Sequence, residues 1–313
     1  MDQQTDVPGG PVPWVSADDG DPRLVLPNGS SYDFYRPELY TLDGANYESV
    51  VVGLLTILQC KHADNRACPG PDGPREFNSV FPAFSRDGFH FTRPAPVRSK
   101  TGHSRSSIAP LNLTGCNSSI GCTVWNYEDS QSVGGGFLVV RDKIYLYASG
   151  NANMNWPDPT LPVDESQLKQ AGLFTLRRDG FASLDRVGPG RASLTTRPLQ
   201  WDLGQKLLWV NFNGSGLVVR LMAVGSNATL EPWGASRPLT VDSTRAQVHW
   251  GTGLDLGRLA GKPVRLRVEW AAGSLFSFWT SATGCGESGG FAAAGGPGLP
   301  NAVDTEGSCA HGL

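Results

Sequence analysis

QSVGGGFLVVRDKIYLYASG (residues 131–150) and AGLFTLRRDGFASL (residues 171–184) decide the reading of this chain. Together they predict four short strands. Residues 136–141 are apolar and β-branched. Residues 143–148 alternate, with Ile144, Leu146 and Ala148 on one face and Tyr145 and Tyr147 on the other. Residues 173–176 and 181–184 follow, separated by a tight Asp179-Gly180 turn. A four-stranded antiparallel unit of this kind is one blade of a β-propeller.

The pattern occurs twice. Residues 47–58 (YESVVVGLLTIL) match the first strand, and residues 78–91 (NSVFPAFSRDGFHF) match the last two. Asp87 and Asp179 then lie 92 residues apart. A usual blade takes roughly 40–50 residues, so the excess belongs to the loops 60–75, 98–130 and 151–170. In this reading Phe89, Phe91 and Phe181 pack between sheets, His90 faces outward, and the two aspartates hold their turns together.

Composition agrees with a turn-rich globular chain. With 39 Gly and 23 Pro in 313 residues, turns are favoured over helices. A net charge of −3 without a basic run excludes a nucleic-acid partner. The longest apolar run, residues 50–58, is too short to span a bilayer. No cofactor motif is found: Gly134-Gly135-Gly136 lacks the Lys-Ser/Thr and the following helix of a phosphate loop. Close strand packing is the expected reason for those glycines.

Six cysteines and five N-x-S/T sequons point to a secreted or lumenal protein. The sequons begin at Asn28, Asn112, Asn117, Asn213 and Asn227. Local pairing is expected for Cys60 with Cys68, Cys116 with Cys122, and Cys285 with Cys309. A zinc cluster at Cys60, His62 and Cys68 would lack a fourth ligand at suitable spacing. The N-terminus has no signal peptide, and only two full blades are found where closure needs at least four. Both facts agree with a propeller truncated at its N-terminus.

Four segments are expected: a loose N-terminus at 1–13, propeller blades at 14–187, a β-sandwich at 190–282 and a low-complexity tail at 283–313. Residues 32–40 predict a strand, and Asp43-Gly44 a turn into the next one. The first strand of a blade lies beside the propeller axis, so Glu48 and Gln131 would face a central pocket. Partial desolvation would raise the Glu48 pKa and suit it to general-acid catalysis. A hydrogen-bonded structural Glu48 is the other reading. Asn126 and Gln131 suit sugar hydroxyls, because an amide both donates and accepts. Trp156 could stack on a sugar ring or anchor its loop.

Past residue 185 seven strands are predicted, at 192–199, 207–212, 217–224, 237–241, 246–250, 264–270 and 275–279, as in a β-sandwich. Val264, Leu266, Val268 and Trp270 alternate with Arg265, Arg267 and Glu269. Trp201, Trp209, Trp233 and Trp250 read as core, and residues 256–260 as a helical turn. The tail is expected to be unstructured unless Cys285–Cys309 closes it.

The order YESVVVGLL, SRDGFHFTRP, QSVGGGFLVV, IYLYASG, GLFTLRRDGFASLD, LTTRPL and LAGKPVRLRVEW with LFSFW resembles proteins related to glycoside hydrolase family 32. The resemblance covers residues 14–280 and is densest at 172–199 and 261–278. It implies an all-β protein, a five-bladed propeller followed by a β-sandwich, with axial carboxylates acting on glycosidic bonds. Glu48 is the position matching the acid. The family's W-M-N-D-P-N-G and R-D-P stretches are absent here, which leaves the partner carboxylate unassigned. Three functions follow: a secreted glycosidase acting on a poly- or oligosaccharide, a non-catalytic carbohydrate-binding propeller, or an extracellular structural protein. A second carboxylate about 5–10 Å from the acid would mark the first. Aromatics with amides would mark the second, and a flat apolar exposed sheet the third.

Overall fold

The computed structural model describes residues 38–59, 77–93, 108, 116–117, 121–122, 125–126, 129–132, 134–151, 170–226, 228–251 and 253–309. The chain is all-β. Its described strands are β1 (Glu38–Glu48), β2 (Val50–Gln59), β3 (Phe77–Ser85), β4 (Cys116–Asn117), β5 (Gly121–Cys122), β6 (Asp129–Ser132), β7 (Leu138–Val140) and β8 (Lys143–Asn151). Then come β9 (Gln170–Arg177), β10 (Leu184–Asp185), β11 (Ala192–Thr195), β12 (Leu207–Ala223), β13 (Leu239–Val248), β14 (Val264–Trp270), β15 (Ala272–Ser281) and β16 (Phe291–Ala292). The helices among the described residues are short 3-10 turns. The turn at Leu256–Leu259 is the one expected from sequence, capped by Asp255 Oδ1 accepting the Gly257 N–H. Two compact units arise, residues 1–138 with 145–175, and residues 139–144 with 176–313.

In the first unit β1, β2 and β3 pair antiparallel in chain order. β2 is apolar on both sides because both its faces are covered. Val52, Leu54 and Thr56 are buried on one face, and Leu55 and Ile57 on the other. Each buried aliphatic side chain contributes about 1.5–3 kcal/mol of transfer free energy. Leu55, Ile57, Phe81 and Ala83 form one cluster with Phe91 against it, and the Arg93 guanidinium lies 4.8 Å from the Phe81 ring centre. The opposite face meets a second sheet. Leu54 and Val80 share a crevice with Ile108, Leu146, Ala148 and Phe174. In that sheet β6 and β9 both pair with β8.

Several expectations change here. The segment 47–58 is not one strand: β1 ends at Glu48, a tight turn follows, and Tyr47 pairs with Val50. The predicted turn at Asp43-Gly44 is absent, since β1 runs straight through it, Asp43 opposite Leu54. Phe89 does not pack between sheets but is 87% exposed, whereas Phe181 is buried. Gly134, Gly135 and Gly136 are not close-packing glycines. Their φ values are 78°, 75° and 84°, a left-handed run that side chains resist, and a Cβ on Gly135 would meet nothing.

The fourth strand expected for the blade, at 181–184, also fails. The Asp179-Gly180 turn forms, but β10 then pairs with β15 in the second unit. There the seven predicted strands prove fewer, and 192–199 shortens to β11. Residues 207–212 and 217–224 join into the 17-residue β12, and 237–241 and 246–250 join into β13. β12 has β13 on one edge and β15 followed by β14 on the other. β14 keeps the predicted alternation, its apolar residues buried and its charged ones half-buried.

The long strands bend together. A Cβ on Gly214 would lie 2.0 Å from the Ala272 carbonyl oxygen, and one on Gly273 would lie 1.9 Å from that of Asn213. The two backbones touch where side chains would hold them apart. Beyond the bend, Leu217, Val219 and Leu221 join Leu208, Val210 and Phe212 in one core, so the sheet curls around a single apolar interior. Trp201, Trp233 and Trp250 belong to that core, and Trp209 is buried as well.

Residues 284–309 are folded. The Cys285–Cys309 disulfide closes them, and Asp304 anchors them from within. Asp304, 1% exposed, accepts from Arg178 Nη2 at 2.8 Å, Arg245 Nη2 at 3.1 Å and the Gly307 N–H at 3.0 Å. Burial alone would push the Asp304 carboxyl up. The charges of Arg178 and Arg245 outweigh that and hold it below the usual carboxylate range.

Candidate functional site

Glu48 sits in the β1–β2 turn. Glu48 is half-buried with φ 51°, a left-handed conformation for a residue carrying a side chain. It is therefore a turn residue, not the leading residue of an inner strand. Beneath it Tyr47 is buried edge-on against Phe137, ring centres 5.3 Å apart. That contact brings the glycine segment 134–136 alongside β1. A Cβ on Gly134 would stand 3.6 Å from Asp43 Oδ1. Asp43 thus neighbours the glycine segment, while Glu48 stands at the end of the same strand. Asp43 was hidden in sequence by its reading as a turn. It lies five residues before Glu48, about 17 Å of extended strand. A glycosidase pair requires carboxyls about 5–10 Å apart.

The sheet of β6, β8 and β9 has two unlike faces. Its covered face carries Leu146, Ala148, Gly150, Gly172 and Phe174. Trp125 lies flat on the two glycines: a Cβ on Gly150 would fall 2.1 Å from its ring, and one on Gly172 2.0 Å. Phe174 flanks the same indole at 5.4 Å between ring centres. Trp125 is not marked in the sequence around it; its signal is two glycines, Gly150 and Gly172, inside distant strands. Next to it Asn126 is buried, so this amide is part of the wall and not an open sugar contact.

The other face carries polar and aromatic groups. Gln131 stands opposite Ser149, and paired residues of an antiparallel ladder share a face. Tyr147 and Tyr145 follow on that face, two and four residues from Ser149. Gln131, Ser149 and Tyr145 are half-buried, and Tyr147 is 51% exposed. Leu173 of β9 is exposed as well. The structure thus keeps Gln131 available and joins it with a tyrosine.

The Asp87 turn is structural, as its sequence suggested. Ser85 Oγ accepts the N–H groups of Asp87 at 3.3 Å and Gly88 at 2.9 Å. Asp87 Oδ1 accepts from Phe89 N–H at 2.9 Å, His90 N–H at 2.8 Å and Ser85 O–H at 3.0 Å. His90 Nδ1 stands 2.7 Å from Oδ2. The His90 backbone N–H first, then its ring and the Phe89 N–H, hold the Asp87 carboxyl far below the usual range.

Trp156, Cys60, Cys68, Asn28, Asn112 and Asn227 lie outside the described residues. Cys116 and Cys122 stand opposite one another in the β4–β5 pair, with Asn117 next to Cys116. Asn213 is exposed at the bend of β12. Among the described residues no group of three or more His, Cys, Asp or Glu could hold a metal ion. No described helix is long and apolar enough to cross a membrane. Compared with known proteins, the chain matches no family model, no curated protein and no solved structure.

Proposed function

We propose that this chain is a secreted or lumenal, non-catalytic carbohydrate-binding protein on the propeller-plus-sandwich plan of the glycoside hydrolase family 32-like proteins. Its propeller blades are the β1–β3 sheet and the β6, β8, β9 sheet. Face-to-face stacking of these sheets and burial of β2 on both sides support that plan, as does the Asp87 turn. The Cys285–Cys309 disulfide fits an oxidising compartment. The C-terminal sheet, curled about one core, is the sandwich.

One observation carries the binding reading: exposed Tyr147 shares a sheet face with Gln131 and Ser149. A phenol ring offers a surface for a sugar's C–H face, while an amide and a hydroxyl both donate and accept. A glycan array with the full chain tests it. Binding to a neutral oligosaccharide that Tyr147→Ala abolishes is the expected result. An array with no signal above background sinks the reading.

A glycosidase reading rests on Glu48, half-buried in the β1–β2 turn, as general acid. Hydrolysis of an aryl glycoside by the wild-type chain, lost in Glu48→Gln with folding intact, would establish it. Wild-type turnover unchanged in Glu48→Gln would remove Glu48 from catalysis.

A further inference from the structure

The second unit contains a groove that the glycan face does not use. It lies where β12 begins and β13 ends, and its volume is about 290 Å3. Lys206, Arg237, Gln247, His249, Trp250 and Asp255 line it. The backbone fixes these positions. Lys206 N–H donates to the Ser281 carbonyl at 2.9 Å, and the Lys206 carbonyl accepts from Leu256 N–H at 2.7 Å. Arg237 N–H donates to the His249 carbonyl at 2.7 Å, which places both basic side chains at one rim.

The groove has more donors than acceptors. Lys206, Arg237 and His249 are exposed, and no described carboxylate forms an ion pair with any of them. One acidic residue lines it, Asp255, whose Oδ1 accepts the Gly257 N–H at 2.9 Å. Trp250 is 5% exposed, yet its indole N–H has no acceptor among the described residues. A buried N–H without an acceptor carries a desolvation cost of about 1–3 kcal/mol. Two other indoles of the unit find acceptors, Trp201 in the Leu256 carbonyl and Trp233 in that of Asp255, whereas the buried Trp209 N–H, like that of Trp250, finds none among the described residues.

We propose that this groove binds an oxyanion, a carboxylate or sulfate group carried on a molecule of about monosaccharide size. Lys206 and Arg237 supply charge, Arg237 supplies the planar fork that matches such groups, and His249 and Gln247 complete the rim. The volume of about 290 Å3 falls just below the usual ligand-pocket range of about 300–1,000 Å3, which fits one ring and not a chain. The site stands on donors of the second unit alone and is independent of the Tyr147 face.

Titration calorimetry on the full chain tests it with four probes: glucuronate, glucose 6-sulfate, glucose and inorganic sulfate. Saturable binding of the sugar anions, without binding of glucose, is the expected result. Arg237→Met and Lys206→Met should each weaken it roughly tenfold. Both residues are exposed, and unchanged circular dichroism verifies the fold of each variant. The Trp250 indole N–H resonance, assigned through Trp250→Phe, should move during the same titration. Inorganic sulfate binding as tightly as the sugar anions supports the site and names the free ion as its source. Tighter binding of the sugar anions supports it and names an acidic sugar. No saturable binding of any anion overturns the proposal, as does binding unaffected by either methionine substitution.

Discussion

Arg86-Asp87-Gly88-Phe89 and Arg178-Asp179-Gly180-Phe181 are the same four letters in two different situations. In the first, the aspartate closes its own turn, bonding residues at most three positions away, and the phenylalanine is 87% exposed. In the second, the arginine and the aspartate reach far along the chain. Arg178 meets Asp304 at a separation of 126 residues. Asp179 accepts from Ser277 Oγ and from Asn211 Nδ2, and Phe181 is 7% exposed. The first turn is a local device and the second is an anchor of the C-terminal core. A motif's letters set its turn, but its surroundings set what the turn holds.

The sharpest way to break this contrast is to cut the anchor. Asp304→Ala leaves the buried Arg178 and the half-buried Arg245 without their carboxylate. It should cost about 3–5 kcal/mol, read as a lower urea midpoint. Acid should act likewise. The folded Asp304 carboxyl titrates below its unfolded value of about 3.9, so its stabilisation is full above that pH and fades as pH falls through the lower folded value. The wild-type midpoint should therefore drop below about pH 4, and Asp304→Ala should lack that component.

Next in size is the phenylalanine pair. Phe181→Ala should destabilise by about 3 kcal/mol, whereas Phe89→Ala should stay within about 0.5 kcal/mol of wild type. Equal losses in thermal melts would erase the distinction. Asp179→Ala should cost about 1–2 kcal/mol, since two donors on the C-terminal sheet lose their acceptor. The smallest effect belongs to Asp87→Ala. Hydrogen exchange should quicken at the Phe89 and His90 amides while the global midpoint stays put. A shifted midpoint would make the first turn an anchor too.

Patterning carried much of the architecture. The strand β14 was legible because Val264, Leu266, Val268 and Trp270 alternate strictly with charged residues. β2 was legible as a buried run, VVVGLLTIL. What failed did so for local reasons. Asp43-Gly44 is the better turn sequence, yet cross-strand pairing over nine positions overrode it and moved the turn to Glu48-Ser49. Gly214 and Gly216 looked like a break between strands, but they let one strand bend.

The sites were less visible than the fold. Gln131 and Tyr147 can be read as facing the same way only once β6 is in register with β8. Trp125 carries no pattern of its own, and only Gly150 and Gly172 beneath it explain its place. The basic groove draws residues 206, 237, 247 and 249 from separate strand ends, and no spacing in the sequence announces it. Long-range pairing creates such sites, which is why motif reading does not reach them.

The contact between Gly214 and Gly273 also governs how the C-terminal unit can come apart. Two stacked sheets can separate like the covers of a book, each keeping its own ladder. Here β12 and the run of β14 and β15 pass through both walls, so one wall cannot lift without tearing hydrogen bonds that continue into the other. Opening of this unit is therefore all or nothing, with amide exchange on both sides of the bend sharing one free energy.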